Sequence, residues 1–98
     1  GGVRIAFMAL QETMAAKGAD AKKPIDGFTP EQRFFLGFAQ VWCENTATAE
    51  LERRAVIDPH SPGEFRVNGV VSNSADFRQA FSCREGQPMV RAQSCRVW

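Results

Sequence analysis

Val3, Phe7, Leu10 and Met14 stand at i, i+4, i+7 and i+11, the spacing of one apolar stripe on an amphipathic helix that ends near Gly18. The stretch from Gly18 to Gly27 is polar, carries Lys22, Lys23, Pro24 and Asp26, and reads as an exposed loop. Thr29-Pro30-Glu31-Gln32 then has the chemistry of a helix start. Threonine can cap, proline fits the first helical position, and glutamine three residues after the cap can close a capping box. The helix it opens holds Phe34, Phe35, Leu36, Phe38, Val41 and Trp42, apolar around most of its circumference, which predicts a centrally buried element.

A more polar helix is predicted from Thr46 to about Val56, rich in Ala, Glu and Arg. Ser61-Pro62-Gly63-Glu64 repeats the capping-box pattern with proline at the first position. Phe65 to Val71 has enough β-branched residues for a strand, but the cap before it favours a helix. Asn73 or Ser74 can cap a last short helix with Phe77 and Phe81 on one face. Cys83 to Trp98 reads as irregular tail, and no repeat, low-complexity segment or β-meander interrupts a mainly α reading.

One domain is what 98 residues allow, and a free-standing domain of that size buries roughly 60–65% of its unfolded surface. A hydrophobic fraction of 44% with 23% charged residues describes an ordinary globular chain rather than a disordered one. The net charge of +1 gives no long-range field for nucleic acid or anionic lipid. Arg84, Arg91 and Arg96 lie near the tail without interleaved aromatics and read as a solvated face. No apolar run approaches the roughly 20 residues that span a bilayer. The N-terminus lacks a leader pattern, so if the protein is exported its signal is expected outside this chain. Cys43, Cys83 and Cys95 form an odd count with no C-x-x-C pair. They fit two readings equally: small buried hydrophobes, or partners of cysteines absent from this chain in an oxidising compartment.

The one histidine lies in Asp58-Pro59-His60-Ser61-Pro62-Gly63-Glu64-Phe65-Arg66. In an extended connector, residues two apart point to the same side, so Asp58 can reach the imidazole of His60. A carboxylate there fixes the tautomer and favours the imidazolium, which can donate to an oxyanion, whereas the positive end of a helix starting at Ser61 opposes that charge. Arg66, about a turn and a half into the following helix, can grip a carbonyl or carboxylate with parallel hydrogen bonds. No nucleophile–base–orienter set is evident, and one histidine without paired cysteines offers no metal site within the chain. Asp58, His60 and Arg66 can stabilise and orient, but the attacking group must come from elsewhere.

These residues sit within a longer pattern: Phe28-Thr29-Pro30-Glu31-Gln32-Arg33-Phe34-Phe35, Ala39-Gln40-Val41-Trp42-Cys43, Asp58-x-His60-Ser61-Pro62-Gly63-x-Phe65-Arg66, Asn73-Ser74-x-x-Phe77 and the terminal Cys95-Arg96-Val97-Trp98. In this order they resemble the C-terminal end of the neprilysin-type zinc metallopeptidases, a group that includes endothelin-converting enzymes and bacterial oligopeptidases. The resemblance covers nearly the whole chain. It implies that residues 1–98 are an incomplete, C-terminal, mainly helical segment of a peptidase catalytic domain acting on short peptides. His60 matches the histidine that hydrogen-bonds the oxyanion, Asp58 the carboxylate preceding it, and Arg66 the arginine that holds the substrate backbone. Val41 and Trp42 match residues of the apolar pocket for the side chain just after the scissile bond, although core packing of an aromatic helix accounts for the same two residues. Cys43, Cys83 and Cys95 match positions that pair with upstream cysteines in extracellular members, which implies a periplasmic, secreted or cell-surface location.

The family's zinc site needs an H-E-x-x-H helix and an E-N-x-A-D motif, and neither is in this sequence. Gly1-Gly2 resembles the glycine pair just after the second motif, so the chain is expected to start a few residues past the last zinc ligand. Zinc is thus the cofactor of the parent enzyme, no metal ligand is expected here, and the isolated chain is expected to be inactive. A second reading is a non-catalytic binding or structural domain that pairs with a separate chain, and a third is a degenerate member that has lost its upstream motifs. On either enzyme reading the partners are a peptide substrate and the remainder of the peptidase. A helix as apolar as Phe34 to Trp42 also predicts an oligomer that covers it.

Overall fold

The computed structural model describes residues 1–95, so the predicted terminal motif is seen only at Cys95, and Arg96, Val97 and Trp98 lie outside the described residues. The chain forms α1 (Gly2–Lys17), a short 3-10 turn (Ala19–Lys22), α2 (Pro30–Val41), α3 (Thr48–Ile57), α4 (Gly63–Val71) and α5 (Ala75–Ala80), with no strand among the described residues. The predicted stripe on α1 is its inward face: Phe7 and Met14 are buried, and Val3 and Leu10 pack at the core margin. Gly18 ends the helix with a positive φ of 78° and ψ −161°, a conformation open to glycine, donating its N–H to the Met14 carbonyl at 3.2 Å. Within the polar link, Asp26 (φ 52°) and Gly27 (φ 79°) make a tight turn closed by reciprocal Ile25–Phe28 backbone bonds of 3.0 Å.

The cap on α2 forms as predicted. Thr29 Oγ1 accepts from the Gln32 N–H at 3.2 Å, and Gln32 Oε1 accepts from the Thr29 N–H at 3.0 Å. Gln32 has a second task that the pattern did not announce: its Nε2 donates to the Ala80 carbonyl at 2.9 Å, tying the start of α2 to the end of α5. Around this tie the core is aromatic. Phe7 stacks on Phe35 at 5.2 Å between centroids, Phe35 meets Phe77 edge-on at 5.4 Å, and Phe77 meets Phe81 at 4.8 Å. Such pairs contribute about 0.5–1.5 kcal/mol each beyond area burial. Val71 of α4 completes the buried cluster.

Central burial of α2 is not found. Only Pro30 and Phe35 of that helix are buried, while Leu36 is exposed and Val41 is 74% exposed. Too few neighbours exist to surround it. The radius of gyration is 15.7 Å, against about 13 Å for a compact chain of 100 residues, and α3 buries none of its side chains.

Helix wins over strand at 65–71, as expected, but the cap from which it was expected is not the one that forms. The S-x-x-E box at Ser61 does not form: Pro62 occupies the cap position with φ −53° and ψ 155°, no side chain caps the helix, and α4 starts at Gly63. Helix entry one residue later takes Ser61 and Glu64 out of reciprocal register. The Gly63 N–H finds Glu44 Oε1 instead, at 3.2 Å. For α5, Ser74 is the cap, accepting from the Phe77 N–H at 3.2 Å. Asn73 anchors the irregular tail, its Oδ1 accepting from the Cys95 N–H at 2.9 Å.

Candidate functional site

The C-terminal end of α2, the loop 58–62 and the first turn of α4 enclose an open cavity of about 420 Å³. Val41, Trp42, Asp58, His60 and Arg66, the five residues singled out by sequence, all line it. A second hollow of about 510 Å³ lies between α4 and the tail, lined by Phe65, Asn68, Ser72, Met89 and Arg91, and contains none of them.

Asp58 ends α3 in extended geometry (φ −101°, ψ 121°), which turns its side chain to the side of His60. Its Oδ1 accepts from the His60 backbone N–H at 2.9 Å and lies 2.8 Å from Nδ1 of the same residue. Those two contacts, the backbone bond first, hold the Asp58 carboxyl below its ordinary range. The proton on Nδ1 is assigned from this contact, so Nε2 is the nitrogen left for other partners, and it donates only in the imidazolium. His60 is 67% exposed on its side chain.

Arg66 is fixed at two points. Its Nε donates to the Ser61 carbonyl at 2.9 Å, and its guanidinium carbon lies 4.6 Å from the centroid of the Trp42 ring. No other hydrogen bond of this guanidinium is made among the described residues, so its Nη groups are available to an acceptor in the cavity. Trp42 is half-buried under that cation, and Val41 is exposed at the rim. Core packing is therefore not what holds Val41 in place.

Sequence reading missed the polar frame beneath the site. Glu44 spends one oxygen on the Gly63 N–H and the other on Arg54 Nη1, at 3.2 Å. Its carboxyl is held below the usual range, by the Gly63 bond first and then by Arg54. Glu50 faces Arg53 at 2.8 Å and Arg54 at 2.9 Å, and its pKa is lowered to about 2. A Cβ on Gly63 would meet the Trp42 carbonyl oxygen, so the absent side chain is what lets α4 start against the end of α2. Glu44 lies before α3 and Arg54 within it, so no single helix or strand carries both and no periodic pattern marks the pair.

Cys43 and Cys95 are exposed, Cys83 is half-buried, and none pairs with another among the described residues. No group of three or more His, Cys, Asp or Glu side chains among those residues is placed to hold a metal ion. The described residues by themselves therefore do not fit a zinc site. No helix among them is long and apolar enough to cross a membrane.

The model of peptidase family M13 matches residues 1–97. The chain is 43% identical over 98 residues to endothelin-converting enzyme 1 of Cavia porcellus, covering 100% of this chain and 13% of that protein. It is 41% identical to neprilysin-2 of Drosophila melanogaster, with the same coverage of 100% and 13%. The crystal structure of a Mycobacterium tuberculosis zinc metalloprotease in complex with an inhibitor superposes with a TM-score of 0.87 at 42% identity, covering 100% of this chain and 15% of that one. The chain thus spans about 13% of the length of the curated relatives it matches.

Proposed function

The chain belongs to peptidase family M13, and on that premise we propose that residues 1–98 are the C-terminal segment of a zinc metallopeptidase catalytic domain that hydrolyses short peptides. The segment contributes transition-state stabilisation and substrate-backbone binding. One observation carries this reading: Asp58, His60, Arg66, Trp42 and Val41, separated by up to 25 positions, converge on a single cavity.

The division of labour follows from donors and charge. When a nucleophile adds to a peptide carbonyl, the oxygen gains negative charge, and an Nε2–H within hydrogen-bond distance stabilises that charge more than the starting carbonyl. Asp58, bonded to Nδ1, orients the ring and balances the imidazolium. Arg66, clamped by Ser61 and Trp42, offers its Nη groups to a backbone carbonyl of the substrate before and during the reaction. Val41 and the Trp42 ring give the cavity an apolar side for a substrate side chain. The metal, the attacking water and the base belong to the remainder of the polypeptide, because no ligand set for zinc exists among the described residues.

Two measurements test the reading. In the complete protein, His60→Ala is expected to lower kcat by about 100- to 1,000-fold with KM little changed. The purified 98-residue chain is expected to leave an internally quenched peptide intact. An unchanged kcat in the variant, or chelator-sensitive cleavage by the isolated chain, refutes the assignment.

The exposure of Cys43 and Cys95 supports an exported protein in which they and the half-buried Cys83 pair with cysteines outside this chain. Peptide mapping of the complete protein under non-reducing conditions checks this, and three free thiols would count against it. The exposed Leu36 on α2 is covered either by the rest of the domain or, in the isolated chain, by a second copy. Light scattering at high concentration should then find the isolated chain larger than a monomer.

A further inference from the structure

We infer that Glu44 is a positioning residue for the reaction: its carboxylate clamps both ends of the loop that carries His60. The inference rests on the assignment of His60 to the oxyanion made above. Loop 58–62 is bracketed by Arg54, in the last turn of α3, and by Gly63, the first residue of α4. Glu44 Oε2 holds the Arg54 guanidinium and Oε1 holds the Gly63 N–H, each at 3.2 Å. One side chain, standing two residues after Trp42, therefore ties the floor of the cavity to the start and the finish of the catalytic loop.

Little else does this. The α3 helix buries none of its residues, so apolar packing does not fix its end. Pro62 gives α4 no side-chain cap, and Glu44 takes over that function from outside the helix. Gly63 lets the clamp close, since a Cβ there would meet the Trp42 carbonyl oxygen and lie 3.2 Å from Glu44 Oε1. Inside the loop, Asp58 holds the His60 backbone N–H and the ring, and Arg66 holds the Ser61 carbonyl, but neither contact joins the two ends of the loop to each other. Arg66, between Ser61 and Trp42, sets the middle of the loop, and the Glu44 bracket sets its two ends, so where the ring stands depends on both.

Misplacing a group by about 1 Å can cost on the order of 100-fold in rate. A positioning role acts on the transition state through His60, so it lowers kcat and leaves KM nearly alone. The test is a double-mutant cycle in the complete protein with Glu44→Ala and His60→Ala, reading kcat and KM on a quenched peptide. E44A alone is expected to lower kcat by about tenfold or more with KM within about twofold. In the H60A background the same substitution is expected to change kcat by less than about twofold, because the group it positions is gone. Glu44→Gln keeps an acceptor for Gly63 and should recover part of the loss.

An equal loss in both backgrounds means that Glu44 supports the fold and not His60, and overturns the inference. So does an unchanged kcat in E44A. If H60A alone leaves kcat intact, the assignment of His60 fails, which is a different result from additivity. Should E44A be recovered unfolded, Arg54→Gln removes the α3 half of the clamp and is run through the same cycle, with additivity again overturning the proposal.

Discussion

Replacing Gln32 by glutamate sets the local rule for a helix start against the tertiary contact that this residue makes. By the local rule the change is harmless or helpful. Glutamate closes a capping box as well as glutamine does, and a carboxylate in the first turn gains about 0.3–1 kcal/mol from the helix dipole. The structure predicts the opposite sign. Gln32 Oε1 accepts from Thr29, and either residue can do that, but Nε2 donates to the Ala80 carbonyl at 2.9 Å, and a carboxylate has no hydrogen to give. Ala80 is the last residue of α5, so its carbonyl has no intrahelical partner, and among the described residues Gln32 is its only donor. Leaving a partly buried acceptor unpaired costs about 1–3 kcal/mol. Set against the dipole gain, Q32E should be destabilised by about 1 kcal/mol, a fall in Tm of about 4–8 °C for a chain of this size.

Urea unfolding followed by circular dichroism measures the difference directly. Thr29→Ala, which removes one acceptor of the box and leaves the Ala80 tie intact, serves as the reference and should cost about 1 kcal/mol. Q32A should be the worst of the three variants, losing both bonds. A stability of Q32E equal to or above that of the parent chain would mean that the Gln32–Ala80 bond contributes nothing, and the account of how α2 is joined to α5 would be wrong.

The remaining expectations concern the site and its frame. Glu50, with its pKa lowered to about 2 mainly by Arg53 and then by Arg54, supports α3 fully above the ordinary value of 4.5 and loses that support as pH falls through about 2. A carbon-detected titration of its carboxyl should show the low midpoint, and Arg53→Gln with Arg54→Gln should return it to the usual range. A midpoint near 4.5 in the parent chain would remove the ion pairs from the account. Arg66→Lys keeps the charge but loses the fork and the broad cation over Trp42. In the complete protein KM should rise by about tenfold or more, with a smaller effect on kcat. A KM within twofold would mean that Arg66 does not hold the substrate.

What the sequence made legible was local. Alternation in an extended connector put Asp58 beside His60, and a threonine-proline-x-glutamine start placed α2 to the residue, because both depend on neighbours within a few positions. The apolar stripe of α1 was equally readable, since a helix face is periodic whatever it packs against. Failures came where the partner was distant. The Ser61 box looked as good as that at Thr29, yet a carboxylate from residue 44 outcompeted it, and no period relates 44 to 63. The apolar character of α2 was read as a demand for central burial, and that burial is not found. Whether the demand is met depends on how many elements are there to cover the helix, and hydropathy along one helix carries no such information.

Along α2 the two kinds of structure separate. The helix is about 18 Å long. Its first half is held in the ring cluster of Phe7, Phe35 and Phe77 and by the Gln32–Ala80 bond. Its far end carries Val41 and Trp42 out of that core, to a place where, beside the Arg66 cation over the Trp42 ring, polar contacts frame the cavity: Glu44 with Gly63 and Arg54, Arg66 with Ser61, Asp58 with His60. Apolar burial is non-directional and tolerates small shifts, whereas a hydrogen-bonded frame fixes angles and distances. A core built at one end and a polar frame at the other therefore gives the segment stability and geometry from different residues. Substitutions in the ring cluster should change how much of the chain is folded. Substitutions in the frame should change where His60 and Arg66 stand in a chain that is folded just as well.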